Sequence, residues 1–184
     1  MMRFLSMSAL AGFVLAAPFV AVGQTTPSYP PAVEKELYAT NDFRGKPAPK
    51  LALEKILNGS MPDTRGKVML IDFWATWCGP CVKSIPEVNE WKHKFEKDMV
   101  IIGLSDEKEE VVTQFMEKTK MDYLVAIDSQ KRMSKELGIK GIPHVMVVSA
   151  DGIVRWQGFP GDASDKLTTQ KLEQIIAASK AKVK

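Results

Sequence analysis

Apolar positions along this chain fall into alternating periods. Val68 to Trp74 reads Val-Met-Leu-Ile-Asp-Phe-Trp, a run of strand length that is apolar at every position but one. Such a run predicts a strand covered on both faces, the central strand of a sheet. Val100 to Leu104 repeats the signature. Between them Val88, Trp91 and Phe95 recur at three- and four-residue spacing, which predicts a helix from the cysteine pair to about Phe95, kinked early by Pro86. Val111, Val112, Phe115 and Met116 place another helix over Glu109 to Thr119, and Tyr123 to Ile127 reads as a strand. Lys131 to Leu137 predicts a short helix closed by Gly138.

The last third changes period. His144 to Val148 and Ile153 to Gln157 are strand-like runs joined through Ala150-Asp151-Gly152, a hairpin signal. A final helix from about Thr168 to Ala178 sets Leu172, Ile175 and Ile176 on one side. Strands alternating with helices and ending in a hairpin and helix predict an α/β domain, a mixed sheet covered on both faces, over residues 45–184. Upstream, Pro27, Pro30 and Pro31 among small polar residues favour extended chain, so residues 24–44 read as a linker or N-terminal extension, with some helical spacing between Val33 and Phe43.

The amino terminus has its own pattern. Arg3 precedes Phe4 to Val22, which carries no charge, and Ala21-Val22-Gly23 supplies the small residues of a cleavage site. Residues 1–23 are therefore expected to be a secretory signal. The competing reading is a retained membrane anchor, since the run approaches the roughly 20 residues that cross a bilayer. Both readings put the domain outside the cytoplasm, in the bacterial periplasm or secreted. The net charge is only +3, with lysines and acids interspersed, which gives no case for nucleic acid.

Composition then isolates the chemistry. The chain has only 2 cysteines, Cys78 and Cys81. A bridge this short closes almost no loop, so a functional pair is favoured over a staple. Placed after a buried strand and opening a helix, the first sulfur meets free backbone N–H groups and the positive end of the helix dipole, which stabilise a thiolate. Cys78 is the expected nucleophile, and Cys81, one turn on, resolves the mixed disulfide. Gly79 admits a partner's chain and Pro80 suits a first helical turn.

The segment Phe73-Trp74-Ala75-Thr76-Trp77-Cys78-Gly79-Pro80-Cys81 resembles the active-site segment of thioredoxins, and more narrowly of the TlpA- and ResA-like thiol-disulfide oxidoreductases. Gly66-Lys67, Pro86, Gly141-Ile142-Pro143 and Asp151-Gly152 extend the resemblance over roughly Gly45 to Ser179. It implies a thioredoxin fold with a TlpA-like helix and strand inserted at about residues 105–127. It also implies a cis Ile142–Pro143 bond, with that turn, Trp77, Gly79 and Pro80 forming the surface that docks an extended target segment. Partners would be protein thiols and disulfides and a membrane electron donor or acceptor; no cofactor is implied.

Asp72 stands inside the apolar run, and by position resembles the buried Asp that assists proton transfer at the resolving cysteine of thioredoxin. Burial should raise its pKa. The plainer alternative is a strand end with Asp72 at the surface. Two positions depart from the family: no Lys lies within Val100 to Leu104 to partner Asp72, and Ser84 stands where ResA-like proteins place a Glu. Trp74 reads as core, His144 as a neighbour of the sulfurs and His93 as solvated. The set Cys78, Cys81, His93 and His144 matches no common zinc spacing, so no metal site is expected. The leading function is an extracytoplasmic disulfide reductase. A disulfide oxidase or isomerase, a thiol peroxidase using Thr76, and a haem- or metal-binding thiol chaperone are the alternatives.

Overall fold

A computed structural model describes residues 27–182, and the expected leader at 1–23 lies outside the described residues. Six strands, β1 (Lys55–Ile56), β2 (Val68–Trp74), β3 (Met99–Ser105), β4 (Leu124–Ile127), β5 (His144–Val148) and β6 (Val154–Gly158), form one sheet. Their order is β1-β4-β3-β2-β5-β6. β2, β3 and β4 run parallel, while β5, β6 and β1 each lie antiparallel to their neighbours. The sheet is mixed, and the fold is thioredoxin-like.

Among the described residues four helices cover it: α1 (Gly79–Lys94), α2 (Glu109–Met116), α3 (Arg132–Leu137) and α4 (Thr169–Lys182). Alternate residues of β2 divide between two cores. Val68, Leu70 and Trp74 join Ile85 and Val88 of α1, Val112 of α2 and Leu172 and Ile175 of α4. Ile71 and Phe73 join Met133 and Leu137 of α3 on the other face. Burying each such aliphatic side chain contributes roughly 1.5–3 kcal/mol, which is why a continuous apolar strand settles in the middle. α2 and β4 occupy the position of the expected insertion, and β1 covers its free edge.

One expectation is corrected. Val33 to Phe43 forms no helix, and the described part of residues 24–44 packs on the domain. The Lys35 ammonium sits 2.8 Å from the Asp165 carboxylate, its side chain 1% exposed, and 3.8 Å over the Trp156 ring. Leu37 is buried, the Tyr29 ring lies 3.7 Å from the Arg155 guanidinium, and the Gln157 side chain bonds the Phe43 N–H and the Asn41 carbonyl. The segment is a strap, whose contacts come from isolated residues that leave no periodic trace. α1 continues through Pro86, which stands inside it. The missing N–H leaves only the Val82 carbonyl without its helical donor.

Candidate active site

Cys78 and Cys81 form a disulfide with their Cα atoms 5.3 Å apart. Cys78 is the N-cap of α1, its Sγ accepting from the Cys81 N–H at 3.3 Å. No acid stands in the first turn to offset the helix dipole, so negative charge on Sγ is favoured there once the bond is reduced. Cys81 is the more deeply set, 1% exposed against 4% for Cys78. The Ser84 hydroxyl donates to the Cys81 carbonyl at 2.7 Å, a local structural bond at the position of the family's Glu.

Asp72 lies within β2 and is buried, not at a strand end. Its Oδ1 has no hydrogen-bond partner among the described residues, and burial alone pushes its pKa up to about 7. The carboxyl shares a cavity of about 280 Å³ with Pro80, Ser84 and Pro143, and Lys83, Glu87 and Lys166 stand at its outer wall. Asp72 therefore shares this cavity with the residue before Cys81, Pro80, and with Lys83 and Ser84 in the turn after it.

The loop that presents Cys78 is held by a residue the motif does not contain. The Glu107 carboxylate accepts from the Thr76 N–H at 2.7 Å and from the Thr76 hydroxyl at 2.8 Å, and Ser105 donates to the same carboxylate at 3.2 Å. Hydrogen bonds to a charged acceptor are the stronger kind, so this clamp fixes Thr76, two residues before Cys78. Sequence reasoning missed Glu107 because it lies in a run of surface charges, Asp106 to Glu110, that reads as solvated. Trp77, next in line, is 72% exposed, an unusual state for an indole and one suited to contact with a partner.

The Ile142–Pro143 bond is cis, and Pro143 faces the cavity that Pro80 lines. His144 is buried edge-on against Phe73. Burial, with a smaller contribution from the Lys35 charge, lowers its pKa to about 4, so it is a neutral packing residue at neutral pH. Trp74 is core, as its pattern implied. His93 is exposed and paired with Asp122. It lies about 22 Å along the helix from Cys78, at 1.5 Å per residue, so it cannot share a ligand set with the sulfurs. Among the described residues no group of His, Cys, Asp and Glu is placed to hold a metal ion.

A thioredoxin-like sheet with a Cys-x-x-Cys disulfide opening α1 defines a thiol-disulfide oxidoreductase, a redox enzyme. Residues 43–176 match the Redoxin family, and the chain belongs to it. It is 31% identical over 135 residues to the thiol-disulfide oxidoreductase ResA of Bacillus thuringiensis subsp. konkukian (strain 97-27), across 71% of this chain and 78% of that protein. A Chlorobium tepidum structure described as thiol:disulfide interchange protein DsbE superposes with a TM-score of 0.61 at 29% identity, covering 74% of this chain and 96% of its own. The solution structure of a thioredoxin-like protein in its oxidised form gives 0.62 at 22% identity over 74% of this chain and 98% of its own, a likeness of fold.

Proposed function

We propose that the protein is an extracytoplasmic protein-disulfide reductase. The carrying observation is the Cys78–Cys81 pair at the start of α1 beside a buried carboxyl that no cation neutralises. In the reduced enzyme the Cys78 thiolate attacks one sulfur of a target disulfide and expels the other as a thiolate. Cys81 then gives its proton to the Asp72 carboxylate and attacks the Cys78 sulfur, releasing the second target thiol and closing the enzyme disulfide. Two electrons pass to the target, and a membrane dithiol donor restores them. Trp77, Gly79, Pro80 and the Ile142–Pro143 turn dock the target chain. A pKa near 7 suits Asp72 to taking and returning that proton at neutral pH.

The leader-like pattern of residues 1–23 supports the location. The Gly79-Pro80 dipeptide supports the direction, since thioredoxin, with the same pair, poises near about −270 mV. The Thr76 hydroxyl is committed to Glu107, which weighs against a peroxidase that would need it free. Equilibration with glutathione or dithiothreitol buffers tests the direction. A potential near about −270 mV fits a reductase, and one near about −120 mV, the value of a strong oxidant, overturns it.

A further inference from the structure

Beside the cysteines, at the carboxyl ends of β2 and β3, lies a groove of about 560 Å³. Its floor is apolar, built from Phe73, Leu104, Ile139 and Ile142, and one wall is the exposed Trp77. Gly141, on the turn leading to Pro143, is exposed, and no atom lies within 4 Å of where a Cβ would stand. Backbone can therefore approach backbone there.

The charges around the groove are not balanced. Asp106 is paired with Lys131 at 3.0 Å. Asp128 is paired with Arg132 at 2.7 Å, and its second oxygen accepts from the Met133 N–H at 3.0 Å. Lys135 and Lys140 line the same groove, are exposed, and have no acidic partner among the described residues. An apolar floor continuous with Trp77 fits an extended chain, and two unpartnered ammonium groups fit carboxylates upon it.

We propose that this groove selects target proteins with an acidic segment flanking the disulfide, and that Lys135 and Lys140 are the specificity determinants. The inference rests on the exchange chemistry assigned to Cys78 and Cys81. At ordinary ionic strength the two lysines act within a Debye length of about 8–10 Å, so the preference is local to the flanking residues and sensitive to salt.

Three disulfide-bonded peptides, alike but for flanking Asp-Asp, Ser-Ser or Lys-Lys, test it with dithiothreitol as the electron source. Wild type is expected to reduce the Asp-Asp peptide with kcat/KM about tenfold above the Lys-Lys peptide at low salt, each exposed charge pair contributing a few-fold. The ratio should fall toward one in concentrated salt and invert in K135E/K140E, with an unchanged urea unfolding midpoint as the control for folding. The same peptide ordering in wild type and variant overturns the groove assignment while leaving the exchange chemistry standing. Failure of wild type to reduce any of the three removes the exchange reading and this inference with it.

Discussion

Asp72 lies directly across the β2–β3 pair from Gly103. A Cβ at Gly103 would stand 2.8 Å from the Tyr123 ring and 3.1 Å from the Trp74 indole nitrogen. Aromatic rings thus fill the space on the strand where thioredoxin carries the lysine that partners its buried Asp. The carboxyl is left to desolvation alone, and desolvation favours its neutral form.

Stability should therefore depend on Asp72 in a defined pH window. The native carboxyl keeps its proton up to about pH 7, whereas the unfolded chain releases it near the ordinary 3.8. Between those values the native state binds the extra proton, so stability falls as pH rises, by roughly 4 kcal/mol in total, and stays low above pH 7. Asp72→Asn should gain up to a few kcal/mol in urea unfolding at pH 8 and almost nothing at pH 4. It should also slow mixed-disulfide resolution roughly 10²-fold at neutral pH, the scale of a lost general base. Equal urea midpoint shifts at both pH values would contradict the burial argument, and an unchanged rate would take Asp72 out of the mechanism.

Glu107 acts on the site by positioning Thr76 and, through it, Trp77 and Cys78. Glu107→Ala leaves the half-buried Thr76 N–H without an acceptor, a cost of about 1–3 kcal/mol. It is expected to lower kcat/KM for disulfide reduction about tenfold with the pH profile unchanged, and to free Trp77 in time-resolved anisotropy. Glu107→Gln, which keeps one acceptor oxygen, should recover part of both. A shifted pH profile would instead make Glu107 a proton-transfer group.

The alternation of strand and helix was legible because each strand of the sheet centre is apolar at nearly every position and each helix carries an apolar stripe. Cys78, Cys81 and Asp72 could be placed for the same reason: a motif and a lone acid stand out against a regular background. β1 could not be read, since two residues pairing with Ile127 and Ala126 leave no period. Glu107 and the strap were hidden for a related reason. Their bonds join residues far apart in sequence, as between Lys35 and Asp165 or Thr76 and Glu107, and no local spacing encodes such a pair.

The strap makes its own prediction. Lys35→Ala removes a charge whose ammonium pairs with buried Asp165, leaving Lys171 as that carboxylate's remaining partner. Losing one member of a buried pair costs about 3–5 kcal/mol, reduced here by the surviving lysine. The variant should unfold at clearly lower urea concentration, and deletion of residues 24–44 should cost at least as much. A free linker would leave both midpoints where they are.

The most direct test of the account is the trapping of mixed disulfides by single cysteine variants incubated with oxidised target protein. Cys81→Ser retains the Cys78 nucleophile at the start of α1 and lacks the sulfur that resolves the intermediate. It is expected to accumulate a covalent, dithiothreitol-sensitive adduct on a non-reducing gel, while Cys78→Ser gives none. Equal trapping by both variants, or trapping by Cys78→Ser alone, would contradict the assigned order of attack.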